Sequence, residues 1–207
     1  PLFVAYYRRS LPRFVKIKEW LDRSLIGDIR HVILRLTQPA GELDLSGQNN
    51  WRTDKNIAPG GYFDDLACHA LDLLAYFLGP IIEANGVSQN QLGLYDSKDA
   101  VSACWKHESG IVGSGLWNFG SPDQEDAVII TGSAGHIKFS VFEDQPIILN
   151  TEDSNQELFI ENPKHVQFYH IKNMRDHLLK NDFVHPSMGD TAAEANGYMD
   201  QILGVGK

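Results

Sequence analysis

Three features that define whole classes of protein are scarce in this sequence. Its longest apolar runs, such as residues 32–34 and 128–130, are far too short to cross a bilayer, and no basic segment precedes an apolar one at the start. The net charge is −9 and the basic residues are scattered, whereas phosphate contacts with nucleic acid need clustered Lys and Arg. There are two cysteines, Cys68 and Cys104, which we interpret as buried thiols in a reducing compartment. We therefore expect a cytoplasmic protein with neither nucleic-acid nor membrane partners.

Composition and length are those of one globular domain. Hydrophobic residues make up 43% of the 207 positions and charged residues 22%, which is ordinary for a chain with a substantial core. We predict a single domain over residues 1–207. The sequence opens on Pro1 and passes into the apolar run of residues 2–7, which is typical of a strand buried on both faces of a parallel sheet. Since a natural chain rarely begins inside a strand, we expect further sequence before it.

The order of the predicted elements indicates an α+β fold. In chain order they are a helix over residues 11–24, a strand over 28–37, a polar loop over 39–59, a helix over 62–78, strand-like runs over 81–88, 98–106, 111–119, 126–131, 136–142, 146–150 and 157–160, and helices over 165–180 and 190–203. Gly, Pro, Asn and Asp punctuate the gaps between the runs, which favours an antiparallel meander. We predict a large open sheet, mostly antiparallel or mixed, with helices over one face.

The uncovered face of that sheet is predicted to hold subunits together. Both faces of a sheet must be covered, and the predicted helices suffice for one. Four apolar residues of the later strands are expected to point outward: Trp105, Leu116, Phe119 and Phe139. An apolar patch of this kind usually marks association, so we expect a homodimer or homotetramer formed through the sheet.

The predicted helix over residues 62–78 carries one polar stripe. The stripe follows the spacing i, i+4, i+7 and i+11 and consists of Asp65, His69, Asp72 and Tyr76. An aspartate one turn before a histidine can accept the ring N–H, which fixes the tautomer and raises the basicity of the other nitrogen. An alcohol dehydrogenase needs such a base, because the hydroxyl proton must leave as hydride is transferred.

Two other interpretations of the stripe remain open on spacing alone. An Asp-x-x-x-His pair on an amphipathic helix is commonly a solvated face. Asp65, His69 and Asp72 are also residue types that ligate zinc, although three such ligands without a second cluster make a weaker case.

The residues around the stripe resemble a family signature. Residues 60–72 (GGYFDDLACHALD), preceded by the Trp-Arg pair at 51–52, resemble the C-terminal-domain signature of the glucose–fructose oxidoreductase / inositol dehydrogenase / MocA family. That signature is a glycine pair followed by Asp-x-x-x-His-x-x-Asp on a helix. Residues 3–9 resemble the last strand of the family's Rossmann domain, residues 128–137 its sheet turn and residues 185–193 its closing segment. The resemblance covers nearly the whole chain.

This resemblance implies a fold, an activity and roles for particular residues. Residues 1–10 are expected to be the last strand of an absent N-terminal Rossmann domain. The chain is then the substrate-binding and oligomerisation half of an NAD(P)-dependent oxidoreductase that acts on a sugar, cyclitol or related polyol. NAD or NADP is expected to bind mainly to the absent domain, so this chain alone is expected to be inactive. His69 resembles the proton-transferring histidine and Asp65 the aspartate that orients it. The remaining site residues are Arg8, Trp51, Arg52 and Asp72 toward the substrate and Tyr7 toward the cofactor.

Some of these features have a second interpretation. Asp72 also fits a helix-packing salt bridge. The glycine-rich stretches at 110–115 and 132–135 are predicted to be strand and turn, because neither opens a helix whose N-terminus could hold a pyrophosphate. The alternatives to a dehydrogenase half are a non-catalytic assembly or ligand-binding module with a degenerate site, and a metal-dependent isomerase.

Overall fold

The structure, a computed structural model, describes residues 1–48, 50–179 and 182–205. Positions 49, 180, 181, 206 and 207, which fall within the predicted loop, helix or domain, lie outside the described residues. The helices and strands in chain order are α1 Pro12–Asp22, β1 Ile29–Thr37, α2 Glu42–Leu45, α3 Tyr62–Leu78, β2 Ile81–Gln89, β3 Ala100–His107, β4 Val112–Asn118, β5 Glu125–Gly132, β6 Gly135–Phe139, β7 Ile147–Thr151, β8 Asn155–Leu158, α4 Phe168–Leu179 and α5 Gly189–Leu203. The described chain also contains 3-10 turns at Tyr7–Ser10 and Trp51–Thr53.

The eight strands within the described ranges form one mixed sheet in the order β2-β3-β4-β1-β5-β6-β7-β8. Strand β1 lies in the middle, parallel to β4 and antiparallel to β5. The other neighbours pair antiparallel as two meanders, β2 to β4 and β5 to β8. The predicted α+β class, with an open and mostly antiparallel sheet and helices over one face, is confirmed.

The core lies between the sheet and helices α1, α3 and α5. In β1, the buried Val32, Leu34 and Leu36 alternate with side chains on the opposite face, as the period of a strand requires. On α3, Leu71 and Leu74 are 0% and 1% exposed, and each such side chain contributes roughly 1.5–3 kcal/mol on burial. This packing fixes α3, which carries the polar stripe. None of the helices in the described residues is long and apolar enough to span a membrane.

Two glycines of β4 make room for tryptophans. A Cβ at Gly113 would lie 2.2 Å from the Trp105 indole, and a Cβ at Gly115 would lie 2.6 Å from the Trp117 indole. Both indoles are on the buried face, at 3% and 0% exposure. The glycine-rich stretch at 110–115 therefore serves side-chain packing within the sheet.

The outer face of the sheet differs from the prediction. Trp105, Phe119 and Phe139, which were expected to point outward, are 3%, 2% and 2% exposed and lie in the core. Successive side chains of a strand point to opposite faces of the sheet, and the register of these strands puts the largest side chains on the face that the helices bury. Leu116 does lie on the outer face, half-buried, where Ile33 of β1 is 40% exposed. Smaller and less aromatic side chains therefore line this face.

The apolar run at residues 2–7 does not form the predicted strand. Within this described segment, Phe3 makes one isolated bridge to Met188, and the 3-10 turn Tyr7–Ser10 begins at its end. A strand buried on both faces needs hydrogen-bonding neighbours on both sides. The backbone of the run bonds to the closing segment on one side, and no second strand of the described residues pairs with it. That residues 1–10 belong to a Rossmann domain stays a prediction.

A glycine pair sets the start of α3. Gly61, the N-cap, has φ 69° and ψ −139°, and a Cβ there would lie 2.1 Å from the Lys98 carbonyl oxygen. The Gly60 N–H donates to Asp64 Oδ2 at 2.9 Å, so the first helical turn also holds the residue before the cap. Asp64 and Asp65 lie in that turn, where the helix dipole favours negative charge. The turn determines where α3 begins and hence which way its stripe faces.

Gly61→Ala is expected to destabilise the protein by about 2 kcal/mol, because a side chain at this positive φ is strained and meets backbone. Gly197→Ala in α5 is the matched control. Apart from the backbone of its own helix, the described residues place no atom within 4 Å of the added Cβ, so this helical substitution should stabilise by about 0.5–1 kcal/mol. Urea unfolding followed by circular dichroism measures both. An unchanged midpoint for Gly61→Ala would show that the turn relaxes without strain.

Candidate active site

A buried ion pair ties the N-terminal segment to α3. The Arg9 guanidinium donates to both carboxylate oxygens of Asp72, with Nε–Oδ2 and Nη2–Oδ1 distances of 2.8 and 2.6 Å. Arg9 Nη1 also donates to the Pro186 carbonyl oxygen at 2.9 Å. Burial raises the pKa of Asp72 to about 6, against the opposing effect of Arg9. One side chain thus joins the N-terminal segment, α3 and the closing segment.

The structure does not place Asp72 as the predicted substrate contact. Both of its oxygens are bound by Arg9 and its side chain is 1% exposed, which is the helix-packing salt bridge that the sequence left as the alternative. Tyr76, the last residue of the stripe, lies 5.2 Å from Arg9 Cζ at its ring centroid. The N-terminal segment covers His69, Asp72 and Tyr76, so this part of the stripe is not a solvated face.

His69 lies in an aromatic enclosure. Its ring centroid is 5.3 Å from that of Tyr6 and 6.2 Å from those of Tyr7 and Phe142. Its Nδ1 is buried and has no hydrogen-bond partner among the described residues. Leaving such an atom unpaired costs about 1–3 kcal/mol, so it requires an explanation, and a ligand group is one.

Arg8 lies beside His69 and shares two of its aromatic neighbours. Its Cζ is 4.4 Å from the ring centroid of Phe142 and 4.9 Å from that of Tyr7. Its Nε donates to the Val141 carbonyl oxygen at 3.0 Å. Arg8 is 6% exposed, and its Nη1 has no hydrogen-bond partner in the part of the chain that the structure describes. The residues predicted for substrate and cofactor, Arg8 and Tyr7, therefore lie next to the predicted base.

The loop that carries Phe142 is held by a carboxylate that sequence reasoning missed. Asp126, at the start of β5, accepts from the backbone N–H groups of Val141, Phe142 and Glu143 at 2.9, 2.6 and 2.9 Å. Three donors on one carboxylate fix the backbone of the β6–β7 loop. In the sequence, the one sign of this role is an aspartate within a predicted strand. The sequence does not identify its partners, because they are distant along the chain. Asp126 thereby sets the position of the Phe142 ring against Arg8 and His69.

Asp65 does not bond to the histidine ring as predicted. Its Oδ2 accepts from Arg52 Nε at 2.7 Å, and the Arg52 Cζ lies 4.6 Å from the ring centroid of Trp51. A guanidinium is a stronger donor to a carboxylate than a neutral imidazole N–H, and the loop brings it to the first turn of α3. The predicted Asp65–His69 hydrogen bond is wrong in this structure. The structure instead brings Asp65, Arg52 and Trp51 together at the rim, where Trp51 is 46% exposed.

His69 is neutral at neutral pH. Burial and then the positive charge of Arg8 lower the pKa of His69 from 6.5 to about 4, while the negative charge of Asp65 opposes the shift. At pH 7 the imidazole therefore has one nitrogen able to accept a proton. The adjacent Cys68 thiol stays protonated, because burial raises its pKa to about 11. The arrangement suits proton acceptance by the imidazole.

Two of the three residues considered as zinc ligands are held by arginines. Residues 1–48, 50–179 and 182–205 contain no group of three or more His, Cys, Asp and Glu side chains that could hold a metal ion. Asp65 and Asp72, two of the three ligands considered, are each bound to an arginine. Three ligands share one helix face in sequence, but they do not converge in space.

The glycine-rich stretches do not fit a dinucleotide. A Cβ at Gly132 would lie 2.0 Å from the Ile26 carbonyl oxygen, and Ser133 Oγ accepts from the Asp28 N–H at 3.0 Å. This turn is packed against the start of β1, and the stretch at 110–115 is filled by tryptophans. Neither one presents backbone N–H groups at a helix N-terminus to a pyrophosphate.

Comparison with known proteins gives a consistent family. Residues 14–138 match the GFO/IDH/MocA C-terminal domain family. The chain is 33% identical over 205 residues to Oxidoreductase P35 of Formosa agariphila, covering 98% of this chain and 62% of that protein. It is similar to a levoglucosan dehydrogenase solved with NADH and levoglucosan, with a TM-score of 0.78 and 18% identity over 97% of this chain and 64% of that one. It is also similar to an Agrobacterium radiobacter oxidoreductase solved with NAD+, L-tartaric acid and magnesium, with a TM-score of 0.79 and 14% identity over 99% and 62% of the two chains.

The chain belongs to the GFO/IDH/MocA C-terminal domain family, because the match covers residues 14–138, more than half of its length. The family predicted from the motifs is confirmed. The chain spans 62% of the length of the curated relative. The likeness to the two solved structures, at 18% and 14% identity, concerns the fold.

Arg9→Gln is expected to destabilise the protein by about 3–5 kcal/mol, because it leaves the Asp72 carboxylate buried without its charged partner. The double variant Arg9→Gln/Asp72→Asn should recover much of that loss, since neither side chain is then charged. Urea unfolding gives the free energy of unfolding of each variant. Losses that simply add in the double variant would contradict a coupled pair.

Proposed function

We propose that this chain is the substrate-binding and assembly half of an NAD(P)-dependent oxidoreductase. Its substrate would be the carbinol of a sugar, cyclitol or related polyol, with His69 as the acid/base group. The observation that carries the proposal is the neutral, aromatic-enclosed imidazole of His69, whose Nδ1 lacks a partner among the residues described, beside the buried Arg8. Family membership supports an oxidoreductase, and the similar levoglucosan dehydrogenase was solved with NADH and a sugar.

The proposed chemistry divides between proton and hydride. In the oxidation direction His69 takes the proton of the substrate hydroxyl, and in the reverse direction the imidazolium returns it. A bound NAD(P) supplies the hydride acceptor. The low pKa of His69 keeps the ring unprotonated at pH 7, ready to act as a base. The rings of Tyr6 and Phe142 shield the imidazole from water, which strengthens the electrostatic effect of nearby charges.

The rim of the site is proposed to bind the substrate. Trp51, half of whose surface is exposed, offers a flat apolar face to a sugar ring, and Arg52 offers the N–H donors that Asp65 does not use. Asp65 is proposed to act in catalysis through its charge and by holding Arg52. Tyr7, whose ring centroid is 6.2 Å from that of His69, is proposed to face the cofactor.

A separate Rossmann domain is proposed to bind most of the cofactor. The curated relative is longer than this chain, which covers 62% of it, and the glycine-rich stretches here do not suit a pyrophosphate. This chain alone is therefore expected to bind neither NAD nor NADP and to turn over no substrate. The two cysteines are free thiols, and Cys68 is buried as predicted, whereas Cys104, which was also expected to be buried, is exposed. We propose the cytoplasm as the location, since a reducing compartment suits two free thiols.

The outer face of the sheet is proposed to join copies of the protein into a homodimer or homotetramer. Ile33 and Val112 are 40% and 52% exposed on it, and Arg35 pairs with Glu125 at 3.1 Å beside them. Within the described ranges the helices cover the other face, and a sheet with apolar side chains on both faces is stable when both are covered.

In the full-length enzyme, His69→Ala is expected to lower kcat about 10²- to 10⁴-fold with nearly unchanged affinity for NAD(P), because it removes a positioned proton acceptor. Steady-state kinetics with sugars and cyclitols, using NAD and NADP in turn, gives kcat and the KM for the cofactor. His165→Ala, an exposed histidine before α4, is the control and should have no effect. A variant with near-normal kcat, or one defective only in cofactor binding, would leave the non-catalytic module as the better interpretation.

The companion variant Asp65→Asn separates charge from proton transfer. Its loss of kcat should be smaller than that of His69→Ala. The charge of Asp65 raises the pKa of His69, so its removal lowers that pKa. The neutral imidazole then persists to lower pH, and the acid limb of the oxidation-direction profile moves to lower pH. A limb that moves to higher pH would contradict this account.

The parent protein is expected to sediment as a dimer or tetramer at micromolar concentration, and Ile33→Asp is expected to shift it toward monomer. A carboxylate is unfavourable in an interface that buries the outer face. Because the Ile33 side chain is exposed in the single chain, the substitution should not disturb the core. Val15→Asp, at a 48% exposed position of α1, is the control and should not change the assembly. Sedimentation velocity of a purely monomeric parent protein would refute the proposed interface.

A further inference from the structure

Three arginines near the start of the chain are buried, and one lacks a counter-charge. Arg9 is bound by both oxygens of Asp72, and Arg13 lies 3.8 Å from an Asp144 oxygen. Arg8, at 6% exposure, has no carboxylate within ion-pair distance among the residues that the structure describes. A buried cation without an anion is strongly unfavourable, so its retention needs a reason.

The protein satisfies only part of the Arg8 guanidinium. Its Nε is bound to the Val141 carbonyl oxygen, a hydrogen bond with the Tyr7 side chain also stabilises its charged form, and the rings of Tyr7 and Phe142 lie against it. Its buried Nη1 has no partner in the described ranges. The carboxylate of Asp126 contributes charge nearby, but it is occupied by three backbone N–H groups. The guanidinium therefore lacks an oxygen acceptor, and an anionic acceptor would also offset its buried charge.

The unpartnered guanidinium lies next to the unpartnered imidazole. Tyr7 and Phe142 contact both Arg8 and His69, and the charge of Arg8 is strong enough at His69 to lower the pKa of the imidazole. A planar guanidinium matches the geometry of a carboxylate better than that of a hydroxyl. A substrate could therefore carry both groups, an anion bound by Arg8 and a hydroxyl next to His69.

We propose that Arg8 binds a carboxylate of the substrate, and that the enzyme oxidises a sugar acid or a related hydroxy acid whose carbinol lies at His69. The inference rests on the proposed function, because it names the substrate class of that same site. The carboxylate is unchanged in the reaction. The carbinol C–H leaves as hydride to NAD(P)+, the O–H proton passes to His69, and the carbonyl forms.

The test uses the full-length protein and substrate pairs that differ only at one carbon: glucuronate with glucose, and galacturonate with galactose. Each is assayed with NAD+ and NADP+ in the parent protein and in Arg8→Gln, Arg8→Lys and Arg30→Gln. Arg30 is 59% exposed at the start of β1, so its variant controls for the loss of one positive charge. Calorimetric titration with the two acids measures binding independently of turnover, and melting temperatures report whether each variant folds.

The parent protein is expected to prefer the acid of each pair. Arg8→Gln should lower kcat/KM for the acid about 10- to 100-fold, the usual worth of a charge-assisted hydrogen bond. Losing the Arg8 charge also acts on His69 with either substrate, so the measured quantity is the ratio of the two kcat/KM values, which should shift away from the acid. Arg8→Lys keeps the positive charge but loses the paired N–H donors of the guanidinium, so its kcat/KM for the acid should lie between those of the parent protein and Arg8→Gln. This variant also tests the inference if Arg8→Gln fails to fold. Arg30→Gln should match the parent.

Three results would overturn the inference. One is an equal loss on acid and neutral sugar in Arg8→Gln. Another is an unchanged acid preference with a raised KM for NAD(P), which would assign the anion to the cofactor. The third is turnover of neutral sugars together with acid binding that does not depend on Arg8, and this result leaves the proposed function intact. Acid binding that depends on Arg8 without any dehydrogenase activity supports carboxylate binding at Arg8 and refutes the oxidation, and with it the proposed function.

Discussion

The contact between Arg9 and Asp72 is the constraint on which the candidate site depends. Asp72 belongs to α3, whose apolar face is buried in the core, so the carboxylate is held where the core puts it. The short 3-10 turn Tyr7–Ser10 has few local hydrogen bonds of its own and takes its position from this pair and from the bond to the Pro186 carbonyl oxygen. Because Arg8 is adjacent in that turn, fixing Arg9 also fixes the guanidinium beside His69.

Adjacent residues of this turn have opposite surroundings. Successive side chains of a 3-10 turn point in directions about 120° apart, since the turn has three residues per revolution. Arg9 therefore meets the carboxylate of α3, whereas Arg8 points to the aromatic pair formed by Tyr7 and Phe142. The first arrangement is stabilising as a pair, and the second leaves a buried charge uncompensated. Proteins keep such locally unfavourable groups where function uses them.

Much of the fold was predictable from sequence because its signals are local. Helix α3 was predicted over residues 62–78 because a glycine pair precedes it and Gly79-Pro80 ends it, and the strands were found from their composition and from the turn residues between them. The parallel pairing of β1 with β4 was not predictable, since it joins segments far apart in the chain. The apolar run at residues 2–7 misled because a buried irregular segment and a buried strand have the same composition.

The site was predictable in its members but not in its bonds. Helical spacing identified Asp65, His69 and Asp72, and a helix face is a local property. Which partner each carboxylate takes is decided by loops: Arg52 reaches Asp65, and Arg9 reaches Asp72. Asp126 was missed for the same reason, because the backbone it binds is in another hairpin.

Recognition and proton transfer are coupled if Arg8 binds a carboxylate. The charge of Arg8 is the second cause, after burial, of the low pKa of His69. An anion on the guanidinium would cancel much of that charge, so the pKa of His69 would rise toward the range in which a base works best near neutral pH. The imidazole would then become more basic at the moment an acidic substrate occupies the site. A neutral sugar would leave Arg8 charged and His69 a weak base, and it would therefore be disfavoured in the chemical step as well as in binding.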